Sequence, residues 1–154
     1  MTNRIARTSF AGLFAVGLIV GMAAPAHAGG PCSLARSAGH WSLTDNGTVV
    51  GVGARVAVGV FKLDGYGNLM DGVAASSLAG NIASETFSGT YTVNPDCSGS
   101  FDVKIYSGST ELFELTAFTA FDNDMREMRA VFTSVVAPDG TSLQSVISLD
   151  ARKQ

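Results

Sequence analysis

Between residues 40 and 151 the chain never runs far before a cluster of turn-forming residues interrupts it. Asp45-Asn46-Gly47, residues 64–68, Gly80-Asn81, residues 94–99, residues 107–109, Asp122-Asn123-Asp124 and Pro138-Asp139-Gly140 all carry turn chemistry. The stretches between them read as strands. Phe101, Val103 and Ile105 alternate with Asp102, Lys104 and Tyr106, and Phe87, Tyr91 and Val93 share a face opposite Ser88, Thr90 and Thr92. Val56, Val58 and Val60 alternate likewise with Ala57, Gly59 and Phe61. Such short connections leave no room for the crossover of a dozen or more residues that parallel strands require, so neighbours must run antiparallel. About eight extended segments result. The expected fold is all-β: a single antiparallel, about eight-stranded up-and-down barrel, with a two-sheet β-sandwich as the alternative. Closing a barrel removes exposed strand edges, which is why it is placed first.

Residues 111–121 carry apolar side chains on both faces, including Phe113, Leu115, Phe118 and Phe121. They are expected as a strand buried on both sides, which raises a homo-oligomer contact.

The amino end has a different character. Arg4 and Arg7 precede an apolar run centred on Leu13, Phe14, Val16, Leu18, Ile19 and Val20; Pro25 and Ala26-His27-Ala28 follow. That order is a cleavable secretory signal peptide over residues 1–28, and the run is shorter than the roughly 20 residues of a spanning helix. Cleavage would leave an irregular lead-in at 29–38, the barrel domain at 39–151 and a polar tail at 152–154. No membrane span is expected after it. The expected location is the periplasm or the medium.

Removing the leader takes two of the 10 basic residues and none of the 13 acidic ones, so the formal charge moves from −3 to −5. An acidic surface with scattered Lys and Arg excludes nucleic acid and anionic membranes as partners. The two cysteines, Cys32 and Cys97, both survive cleavage, and an oxidising compartment favours their pairing. The bridge would fasten the lead-in to the turn at 94–99.

Catalytic signatures are missing from the pattern. His40 is the one histidine left after cleavage, and no Gly-x-Ser-x-Gly surrounds any serine. One histidine and two bridged cysteines do not make a zinc ligand set. Asp122, Asp124 and Glu127 gather carboxylates at a strand junction and are weak calcium candidates, although their spacing fits no calcium loop and turn chemistry explains them as well. No cofactor is expected. The aromatic content is the more telling feature: Phe61, Phe87, Tyr91, Phe101 and Phe113 are candidate linings for a ligand cavity inside the barrel.

Three stretches in order, Gly59-Val60-Phe61-Lys62-Leu63-Asp64-Gly65-Tyr66-Gly67-Asn68, Gly89-Thr90-Tyr91-Thr92-Val93 and Asp96-Cys97-Ser98-Gly99-Ser100, resemble a recurring pattern of secreted bacterial β-barrel proteins. In architecture this is similar to the calycin-like barrels, such as lipocalins and the allene oxide cyclase barrel. The resemblance implies a fold and carries no catalytic residue with it. The expected function is a secreted or periplasmic, non-enzymatic barrel that binds a small apolar ligand or a protein partner. The alternatives are an allene-oxide-cyclase-like isomerase or cyclase with an apolar cavity, and a structural protein of the envelope.

Overall fold

The computed structural model describes residues 31–154. The expected signal peptide at 1–28 lies outside the described residues. A four-residue helix α1 (Leu34–Ser37) leads into strands β1 (Gly39–Val49), β2 (Gly53–Leu63), β3 (Asn68–Leu78) and β4 (Asn81–Val93). Strands β5 (Ser98–Ser107), β6 (Thr110–Phe121), β7 (Glu127–Val136) and β8 (Ser145–Lys153) complete the chain. Each strand pairs with the next, all antiparallel, and β8 pairs back onto β1 from Trp41↔Lys153 to Val49↔Ser145. The result is a closed eight-stranded up-and-down barrel. Closure pairs both edges of the sheet, although the β7–β8 ladder runs only from Glu127↔Arg152 to Val131↔Ser148 and leaves the rest of β7 outside it.

Strand alternation builds the core. On β1 the inward set is Trp41, Leu43, Asp45 and Val49; on β5 it is Phe101, Val103 and Ile105. The aromatic residues meet inside: Trp41 stacks on Phe61 at 6.4 Å between centroids and meets Phe121 edge-on at 6.2 Å, while Tyr91 stacks on Phe101 at 5.6 Å.

In an up-and-down barrel successive turns fall at alternate ends. The first end holds the β2–β3, β4–β5 and β6–β7 turns together with α1. Ser33 caps α1, its Oγ accepting from the Arg36 amide at 3.4 Å. The helix packs across that end: Trp41 Nε1 donates to the Ser37 carbonyl at 2.9 Å, Ser37 Oγ bonds the Tyr91 hydroxyl at 2.9 Å, and Lys153 Nζ donates to the Arg36 carbonyl at 2.8 Å. Cys32 and Cys97 form a disulfide, with 5.1 Å between their Cα atoms, and so tie the segment before α1 to the β4–β5 turn.

Four expectations need correcting. Asp45-Asn46-Gly47 does not turn the chain; it lies inside β1, and the turn falls at Val50-Gly51-Val52, where Gly51 takes φ +79°. Gly47 serves close strand approach instead, since a Cβ there would lie 2.0 Å from the Val146 carbonyl oxygen. The lead-in at 29–38 is not wholly irregular, because it contains α1. The tail at 152–154 is mostly strand: β8 runs through Lys153, whose amide bonds the Arg126 carbonyl. Finally, residues 111–121 are not buried on both sides. In β6 Leu115, Ala117, Thr119 and Phe121 face the core, whereas Phe118 points outward at 52% exposure beside Val131. The apolar content of that outer face is therefore surface, not interior.

Candidate functional site

Among the described residues the interior carries one group of charged side chains, three in number, joined by a serine so that four consecutive strands contribute. Asp45 (β1), Arg55 (β2), Ser76 (β3) and Glu85 (β4) all occupy inward positions near the end of the barrel opposite α1. Register explains the convergence. Asp45 pairs with Ala57 and Arg55 with Leu78, so Arg55 sits one inward step from Asp45; Ser76 and Glu85 are each one inward step from positions paired across β3 and β4.

The guanidinium is held from two sides. Arg55 Nη1 and Nη2 donate to Glu85 Oε1 and Oε2 at 3.0 and 2.9 Å, a parallel bidentate pair. Arg55 Nε and Nη2 donate to Asp45 Oδ2 at 3.3 and 3.2 Å. Ser76 Oγ donates to Glu85 Oε1 at 2.6 Å. The Phe113 ring lies 5.4 Å from the Arg55 guanidinium carbon, within cation–π range. Side-chain exposure in the triad is 5% or less, so these charges are removed from water.

Burial raises the Asp45 carboxyl above its ordinary value, and the Arg55 charge and hydrogen bonds offset only part of that. For Glu85 burial acts in the same direction, but the hydrogen bonds from Arg55 and Ser76 outweigh it and carry the carboxyl below its usual range. Burial opposes the Arg55 charge, yet its two carboxylate partners hold the group above its normal value. Asp45 Oδ1 is buried and has no hydrogen-bond partner among the described residues. The Ala57 amide is near enough to favour the ionised carboxylate slightly, but it makes no hydrogen bond with Oδ1.

Beside the triad lies an interior cavity of about 60 Å³, taken as the space open to the centre of a water molecule. Its wall includes Leu43, Phe61, Phe87, Phe101 and Phe132, with Asp45, Arg55 and Glu85 as its charged members. An engineered apolar cavity of about 150 Å³ holds one benzene. This one therefore has room for a few heavy atoms. Chemically it pairs an apolar chamber with a fixed charged group, the arrangement that orients a small ligand by its polar end.

Of the lining residues expected from sequence, Phe61, Phe87 and Phe101 line this cavity. Tyr91 and Phe113 are not in its wall. Tyr91 sits at the α1 end, where its hydroxyl reaches Ser37 and the Leu34 and Asp64 carbonyls, and Phe113 is spent on Arg55. The calcium candidates do not converge. Asp122 Oδ1 accepts from the Arg126 and Glu127 amides at 2.7 and 3.0 Å, Glu127 pairs with Arg152 at 3.2 Å, and Asp124 is exposed. Among the described residues no three His, Cys, Asp or Glu side chains gather as a metal site. His40 is exposed on β1.

Asp45, Arg55 and Glu85 are the residues that sequence reasoning missed. A signal existed for Glu85, which shares its parity with Phe87 and Tyr91 and so had to face inward with them.

No protein-family model matches the chain, and no curated protein matches it. Solved structures do share its fold. The structure of EF1p2_mFAP2b bound to DFHBI aligns with a TM-score of 0.55 at 14% identity, covering 79% of this chain and 100% of that one. A redesigned beta barrel, mFAP1, also bound to DFHBI, aligns with a TM-score of 0.50 at 15% identity over 79% of this chain and 98% of its own. At such identities the likeness is one of fold. Among the described residues no helix is long and apolar enough to cross a membrane.

Proposed function

We propose that this protein is an exported, non-enzymatic β-barrel that binds a small, mostly apolar ligand inside the barrel. One observation carries the reading: the interior is not filled. An apolar cavity persists beside a buried charged triad, although eight-stranded barrels are readily packed solid by their own side chains. Barrels of this fold that hold DFHBI support it by analogy of architecture alone. Export is supported by the amino-terminal leader pattern and by a disulfide that suits an oxidising compartment. An isomerase or cyclase needs room for a substrate to rearrange, and about 60 Å³ offers little.

The test is methyl-detected NMR of the mature protein titrated with xenon, a probe for small apolar cavities. Saturable shifts confined to wall residues such as Leu43, Leu69 and Leu115 are expected. Unchanged wall methyls at saturating xenon would defeat the reading. Mass of the protein secreted by its own host, against the mass cut after Ala28, tests export.

A protein partner is the second reading, favoured by the outward valines Val56, Val58 and Val60 of β2, which are 41–63% exposed with Val73 beside them. Sedimentation velocity over a wide concentration range tests its self-association form.

A further inference from the structure

The ligand's polar end can be read from the triad, an inference that rests on the interior-binding reading above. Two carboxylates face one guanidinium, so the buried group carries one negative charge in excess when all three are ionised. Glu85 has both oxygens engaged and Asp45 has its Oδ2 engaged. Asp45 Oδ1 alone is buried, unpartnered and part of a residue in the cavity wall. Native interiors rarely leave such an atom bare, because an unmet buried acceptor loses its water without replacement. A proton on Oδ1 would remove the excess charge of the triad but would bring no donor to that oxygen. Arg55 cannot turn to serve it either, being committed to Glu85 and Asp45 Oδ2 and stacked by Phe113.

We infer that the cavity takes a short-chain primary amine, whose ammonium seats on Asp45 Oδ1 and whose alkyl part lies against the aromatic wall. The ammonium supplies both missing items, a donor for Oδ1 and a positive charge to balance the triad. Its compact head suits a site with room for a few heavy atoms. A carboxylate of the same size would meet Asp45 and Glu85 with like charge and is excluded.

The experiment compares four probes on the mature, disulfide-intact protein by NMR of the wall methyls: ethylammonium, ethanol, acetate and xenon. Ethylammonium is expected to bind about tenfold or more tightly than ethanol, the factor a charge-assisted hydrogen bond brings, with acetate not binding. Asp45→Asn should erase the preference for ethylammonium over ethanol and leave xenon binding unchanged. Equal binding of ethylammonium and ethanol, or any preference for acetate, overturns the inference while xenon binding keeps the cavity reading intact. Failure of all four probes, xenon included, overturns the cavity reading itself. Should Asp45→Asn fail to fold, the ranking on the unmodified protein decides alone.

Discussion

Arg55 and Glu85 meet as a parallel, doubly hydrogen-bonded pair, whereas Asp45 offers Arg55 a single oxygen. The two carboxylates are therefore unequal in what they contribute. Glu85 → Gln breaks a buried pair and leaves Arg55 with the poorer partner, so it should cost about 3–5 kcal/mol of unfolding free energy. Asp45 → Asn removes the excess charge and leaves the Glu85 pair whole. It should stay within about 1 kcal/mol of the unmodified protein. Urea denaturation of both variants measures the difference; equal losses would contradict the asymmetry.

The same inequality makes a pH signature. Glu85 has its carboxyl held below the usual range, so its contribution is present above the unfolded value near 4.5 and is lost as pH falls through the lower native value. Asp45 has the opposite sign. Its native carboxyl is raised, so the folded state holds that proton longer, and stability is lost as pH rises from about 3.8 through the native value. Arg55 stays charged throughout. Over the window above pH 3.8, Asp45 → Asn should gain on the unmodified protein as pH rises, with the gap then constant. Unfolding free energies measured at a series of pH values check this, and a gap independent of pH in that window would refute the raised Asp45 carboxyl.

Most of the barrel was legible because it depends on period-two patterning and on turn spacing, both local properties. β5 shows this best: Phe101, Val103 and Ile105 alternate in sequence and all face the core. Asp45-Asn46-Gly47 misled for a physical reason. Its turn chemistry is real, but Gly47 is needed where β1 meets β8 closely and Asp45 where β1 meets Arg55, and both demands are tertiary. The triad was illegible for a related reason. Charged side chains at inward positions run against burial cost unless they are paired, and the pairing exists only once β1, β2, β3 and β4 are assembled in that order. The inward face of β2 was also the less obvious one, since Ala57, Gly59 and Phe61 face in and the three valines face out.

The disulfide should act locally as well as globally. It closes a loop with a sequence separation of 65 residues, which the chain-entropy model values at roughly 4 kcal/mol. Its two ends anchor the segment before α1 to the β4–β5 turn, far from the triad. Replacing both Cys32 and Cys97 with serine should therefore lower stability by an amount of that order. Hydrogen exchange should rise first at α1 and at the Trp41 indole, whose donor bond to Ser37 depends on α1 staying docked. Uniform loss of protection, with the β1–β2 amides near Asp45 and Arg55 exchanging equally early, would contradict a local role.

Glycine in this barrel has two separate uses, and substitution should separate them. Gly89 faces Val103 across β4 and β5, and a Cβ there would lie 2.0 Å from the Asp102 carbonyl oxygen. The clash is with backbone, so the strands themselves must part and the ladder between them must yield. Gly51 is the contrasting case: it takes φ +79° in the β1–β2 turn with nothing within 4 Å of the position a Cβ would occupy. Its alanine variant meets only the conformational cost of a left-handed residue, about 1–2 kcal/mol. Gly89 → Ala should cost more than about 3 kcal/mol, in the range of overpacking that forces the backbone to move. Thermal unfolding of the two variants side by side decides it, and a Gly89 → Ala protein as stable as Gly51 → Ala would mean that β4 and β5 are not as closely apposed as described.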